Sequence, residues 1–158
     1  MRKSVSISLV LAMVMLCFSG CALMISPSDE IHTDYEGVYI SINGVDDSAD
    51  APVLVVMWHN NSEETVTFSL NYVIEFFDGE EWKNIQIADF AIIDIACVLE
   101  PGQSGEHRYS TKYFNMLRPG LYRIRTDFYV QGDETKSGVT WAEFEQQNQI
   151  INKNANKT

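Results

Sequence analysis

With 22 acidic side chains against 11 basic ones, the 158-residue chain carries a formal charge of −11, which excludes nucleic acid and anionic membrane surfaces as electrostatic partners. Its length suits one domain. Of three cysteines, Cys17 and Cys21 lie near the N-terminus and Cys97 stands alone, so no disulfide is available within the domain.

Arg2 and Lys3 precede an apolar run from Val5 to Phe18 and the small residues Ser19 and Gly20, the pattern of a secretory leader cleaved before Cys21. The run has 14 residues, short of the roughly 20 that span a bilayer. The segment C-F-S-G-C, residues 17–21, resembles the lipobox of bacterial lipoproteins, with Phe18 where Leu is usual. That resemblance implies a diacylglycerol thioether on Cys21, and two acyl chains at about 0.8 kcal/mol per buried methylene make a stable anchor. Residues 1–20 are therefore expected to be a leader and residues 21–35, with Pro27 among Ser and Asp, a lipidated tether. Without Arg2 and Lys3 the balance is nine basic against 22 acidic groups, or −13, as suits a soluble surface domain. The expected location is the extracytoplasmic face of a cell membrane.

From Gly37 to Asn43 apolar and polar residues alternate, which predicts a strand. The acidic turn with Asp46, Asp47 and Asp50 ends it. A calcium site there would need oxygen ligands crowded into one loop, but the spacing is not that of an EF-hand, and a solvated turn is the preferred reading. Ala51 to His59 predicts a central strand apolar on both faces, with Trp58 as a core anchor. T-V-T-F-S and Y-V-I-E-F-F follow, and D-G-E-E marks a hairpin into Trp82 to Ile87. Phe90 to Leu99 is a further apolar run, in which Cys97 reads as a small buried hydrophobe. Pro101-Gly102 precedes a strand from Glu106 to Ser110, and K-Y-F-N-M-L reads as a corner with one helical turn.

The organising stretch is Leu117 to Val130. Tyr122, Ile124, Phe128 and Val130 share one face, while Arg123, Arg125, Asp127 and Tyr129 share the other. The turn Q-G-D-E-T-K-S-G then leads to a closing strand, Val139 to Phe144. The Asn-rich residues 146–158 read as a disordered tail. About eight short strands with no amphipathic helix argue for an all-β antiparallel sandwich over residues 36–145.

The ordered segments G-V-Y-I-S-I-N, V-M-W-H-N-N-S-E-E-T-V-T-F, Y-V-I-E-F-F-D-G-E-E-W, L-E-P-G-Q-S and L-R-P-G-L-Y-R-I-R-T-D-F resemble a family of bacterial immunoglobulin-like domains carried by surface lipoproteins, mostly of Gram-positive lineages. The resemblance implies an immunoglobulin-like β-sandwich and no shared enzymatic activity. Pro119 to Tyr122 also looks like the tyrosine corner of such folds, giving Tyr122 a structural role. In the absence of a disulfide, stability would rest on Trp58, Phe68, Ile74, Phe76, Ile124 and Phe128.

No catalytic motif appears. His32, His59 and His107 lack metal-ligand spacing, and no cofactor is expected. Arg108, Arg118, Arg123 and Arg125 fall within 18 residues of an acidic chain and form a possible ligand face, Arg123 and Arg125 in line about 7 Å apart. The competing reading pairs them with carboxylates such as Glu75 or Asp127. The functional expectation is a non-catalytic binding or structural module whose partner is a protein, a peptide or an envelope polymer. The alternatives are an inhibitor or sensor subunit capping a protease or signalling protein, and an unrecognised hydrolase.

Overall fold

Alternation of β-branched and aromatic residues with polar ones drives nearly every described segment into extended pairing. The computed structural model describes residues 30–46, 48, 51–85, 95–114 and 118–146. The leader, Cys21, Asp47, Asp50, Leu117 and the tail beyond Gln146 lie outside the described residues, as do positions 86–94 of the segments expected to be extended. Among the described residues ten strands form: β1 (His32–Thr33), β2 (Val38–Asp46), β3 (Val53–Asn60), β4 (Val66–Ser69), β5 (Val73–Phe77), β6 (Trp82–Asn84), β7 (Ala96–Leu99), β8 (Ser104–Ser110), β9 (Gly120–Val130) and β10 (Asp133–Gln146). They build two antiparallel sheets, one of seven strands and one of three in the order β2-β3-β8.

The large sheet is built on β9. One side of β9 pairs with β10 from Gly120↔Gln146 to Tyr129↔Ser137. Its other side is shared by β5, from Phe76↔Tyr122 to Val73↔Arg125, and β4, from Phe68↔Phe128 to Val66↔Val130. Where the chain breaks register between β4 and β5, the buried Thr126 hydroxyl donates to the Asn71 carbonyl at 3.0 Å. A side chain thus satisfies a backbone group that the ladder leaves over. β7 extends the sheet beyond β4, β6 beyond β5 and β1 beyond β10.

The two sheets enclose a core to which Trp58 contributes most. Its ring stacks on Phe68 with centroids 3.9 Å apart, meets Phe128 edge-on, and donates Nε1–H to the Tyr109 hydroxyl at 3.0 Å. Ile74, Ile124 and Phe144 of the large sheet and Ile40, Leu54 and Val56 of the small one are fully buried around it. Phe76 is partly buried against the same cluster. Thr140, itself buried, ties the layers together: its hydroxyl accepts the Ile40 N–H at 3.1 Å and donates to the His32 carbonyl at 2.9 Å. Gly138 lets β10 pass close to the core, since a Cβ there would sit 2.5 Å from the Phe128 ring and 2.7 Å from Tyr35 Cβ.

Four expectations are corrected. The tether does not extend to residue 35, because His32 and Thr33 pair with Trp141 and Thr140. β3 is central but its outer face is only partly covered: Leu54, Val56, Trp58 and Asn60 are buried, whereas Val53, Val55, Met57 and His59 are partly buried on the outer face. Their apolar character reflects partial cover from neighbouring strands, as at Val55, which lies between Gly44 and Arg108. The long polar turn before the closing strand shrinks to Gln131 and Gly132, the latter at φ +83°, and β10 starts at Asp133 with a register shift before Ser137. Gln146, assigned to the tail, is the last residue of that strand. The corner after β8 contains a tight turn, with the Phe114 N–H bonded to the Thr111 carbonyl at 3.0 Å.

Candidate functional site

The outward residues of β9 meet outward residues of its neighbours, and the register decides which. Arg123 lies opposite Glu75 on β5 and Glu143 on β10, while Arg125 lies opposite Val73 and Trp141. Glu75 is only 6% exposed, so its charge has to be met inside the protein. Arg123 Nε donates to Glu75 Oε2 at 2.5 Å, and Arg125 Nε lies 3.4 Å from Oε1 of the same carboxylate.

Two indoles complete the cluster. The Arg123 guanidinium lies over the Trp82 ring at 4.4 Å and over the Trp141 ring at 5.2 Å, and His32 stacks on Trp141 at 5.4 Å. The series His32, Trp141, Arg123, Trp82 thus runs across strands β1, β10, β9 and β6 as a continuous ladder. Cation–π contact at partly desolvated sites adds about 0.5–2 kcal/mol. Arg118 lies over Phe76 at 4.1 Å, and its carbonyl accepts the Tyr122 hydroxyl at 2.5 Å.

The four arginines do not form one face. Arg108 lies on the three-stranded sheet, where its guanidinium pairs with Asp46. Arg123, expected on a possible ligand face, is engaged by Glu75 and flanked by indoles, so the pair Arg123 and Arg125 balances a nearly buried carboxylate. Asp46 also accepts from the Ser48 hydroxyl and the Ser48 N–H. These hydrogen bonds, with Arg108 adding to them, hold its carboxyl below the usual range. Among the described residues no group of three or more His, Cys, Asp or Glu side chains could hold a metal.

Burial shifts two histidines, the free cysteine and two core tyrosines. His59 and His107 are both pushed down, leaving neutral rings at neutral pH. His59 bonds Ser41 and Ser104 at 3.1 Å each and stacks on Tyr39. The Cys97 thiol is pushed up, which disfavours a thiolate nucleophile. Burial raises Tyr72 and Tyr109 to about 12, and both are core groups with hydrogen-bond partners.

Beside the ladder an open groove of about 580 Å³ is lined by Thr67, Phe68, Ser69, Asn71, Ala96, Asp127, Phe128, Tyr129 and Ser137. Its lining mixes hydroxyls, one amide and one carboxylate with Phe68, Ala96, Phe128 and the exposed ring of Tyr129. Among the described residues this lining offers no paired acid and base.

Two features escaped sequence reasoning. Trp82 and Trp141 carry an outward parity that was readable, but their meeting around Arg123 was not. Asn60 is fully buried at the end of β3, donating to the carbonyls of Glu64 and Leu99 and accepting from the N–H and hydroxyl of Ser62. It organises the β3–β4 turn, a role that a single Asn does not announce.

No curated protein matched the chain in the comparison. A family model described as bacterial Ig-like domain matches residues 34–150, which spans every strand from β2 to β10. The chain belongs to the bacterial Ig-like domain family.

Proposed function

We propose that the chain is a lipid-anchored extracytoplasmic protein whose Ig-like domain serves as a non-catalytic binding module at a membrane surface. The carrying observation is the placement of Ser19-Gly20-Cys21 directly after an apolar run and only a short distance before a domain of the bacterial Ig-like family. From Cys21 to the start of β1 the chain reaches at most about 40 Å when extended. The sandwich therefore works close to the lipid headgroups.

Cys21→Ala should abolish lipid attachment and move the protein from the detergent phase to the aqueous phase on partitioning. Unchanged partitioning would remove the anchor from this reading. The ligand contact is placed at the groove beside Tyr129, with an extended peptide or a hydroxylated envelope polymer as its occupant. Asp127→Ala combined with Tyr129→Ala should weaken capture of that ligand tenfold or more, about 1.4 kcal/mol, with little change in melting point. Equal capture by the variant would place the binding surface elsewhere.

A further inference from the structure

β8 is an edge strand of seven residues, S-G-E-H-R-Y-S, and its backbone pattern shows which atoms it leaves outward. The Asn60 N–H bonds the Gln103 carbonyl and the Thr111 N–H bonds the Pro52 carbonyl, each at 2.9 Å. In an antiparallel ladder bonded pairs alternate with unbonded ones, so Gly105, His107 and Tyr109 direct their N–H and C=O groups to β3. Ser104, Glu106, Arg108 and Ser110 direct theirs away from it. The Ser110 carbonyl accepts the hydroxyl of Tyr72 from the β4–β5 connection, which agrees with that parity. The backbone groups of Ser104, Glu106 and Arg108 meet no partner among the described residues.

The other edges differ. β2 is bridged at Ile40 by the Thr140 hydroxyl, while β6 and β7 have three and four residues. Open edges invite pairing with another strand, and natural sheets commonly guard them with charge. On β8 the guard is itself symmetric. Glu106 and Arg108 flank His107, and Ser104 and Ser110 flank them in turn.

We infer that β8 pairs antiparallel with β8 of a second copy of this chain about a two-fold axis at His107. In that register Glu106 lies opposite Arg108 of the second copy and Arg108 opposite Glu106. Both are outward-bonding residues, so each pair exchanges two backbone hydrogen bonds. His107 lies opposite its own equivalent in an unbonded pair. The two small sheets become one continuous sheet of six strands, and each charge meets its opposite on both sides of the axis. Shifting the register by two residues in either direction would lose these pairings and set a like-charged pair, Arg108 or Glu106, at the axis. Arg108 is half-exposed beside Asp46, so its guanidinium can also reach across the new pair.

The test uses the full-length chain. A single cysteine introduced by His107→Cys should give a disulfide-linked dimer on mild oxidation, because residues of an unbonded antiparallel pair lie close enough to bridge. Ser41→Cys on the opposite edge strand, and the unsubstituted protein with its own Cys17, Cys21 and Cys97, should give none. Glu106→Arg and Arg108→Glu should each weaken self-association at least tenfold in sedimentation, and the two together should restore it. Monomeric sedimentation of the unsubstituted chain would overturn the inference. So would cross-linking as efficient from Ser41→Cys as from His107→Cys, or self-association indifferent to the single charge changes.

Discussion

Trp58→Ala is expected to destabilise the domain by about 3–5 kcal/mol, the range for removing a large aromatic side chain from a packed core. The indole is fully buried, stacked on Phe68, edge-on to Phe128 and bonded to Tyr109. Its loss leaves a cavity between the sheets and removes the donor that the Tyr109 hydroxyl accepts. Domains of this size are stable by only about 5–15 kcal/mol, so the variant should melt at least about 10 °C lower and fold marginally at physiological temperature. Trp58→Phe separates the contributions. It keeps most of the ring packing but loses the hydrogen bond and part of the volume, and a cost of about 1–2 kcal/mol is expected. Equal melting points for Trp58→Ala and the unsubstituted protein would show that the sandwich does not depend on this contact.

Glu75→Ala is expected to cost about 2–3 kcal/mol. Removing one partner of a buried ion pair costs about 3–5 kcal/mol because the other charge is left uncompensated. The lower figure applies because Arg125 is about one-third exposed and water screens it. Arg123 has less recourse, enclosed between Trp82 and Trp141 with its Nε bonded to the missing carboxylate. Glu75→Gln should cost less, since an amide oxygen still accepts from Arg123. A double-mutant cycle with Arg123→Ala should return a coupling above about 1 kcal/mol. Unchanged stability with altered ligand capture would show instead that this carboxylate and its arginines serve a binding site.

Much of this architecture was legible because β9 alternates cleanly: Tyr122, Ile124, Phe128 and Val130 are all buried, and Arg123 and Arg125 lie on the opposite face. Trp58 was legible for the same reason, being large, apolar and central in a strand. The ladder on the outer face was not. Trp82 and Trp141 are 59 positions apart, and their alignment with Arg123 depends on the register break between β4 and β5 and on the shift near the start of β10. Both are backbone adjustments without a residue signature. β1, with two residues, is too short to show a period, and only its pairing with Trp141 and Thr140 reveals it. The arginine cluster was legible as composition but not as geometry, since proximity along the chain placed Arg108 with the others and the topology carries it to the second sheet.

The proposal that a lipid holds this Ig-like domain at a membrane is tested most directly by the mass of the N-terminal peptide of the protein isolated from its own cells. The expected peptide begins at Cys21 and carries the added mass of a diacylglycerol group on sulfur. An N-terminal peptide retaining residues 1–20, or one beginning at an unmodified residue beyond Cys21, would contradict it.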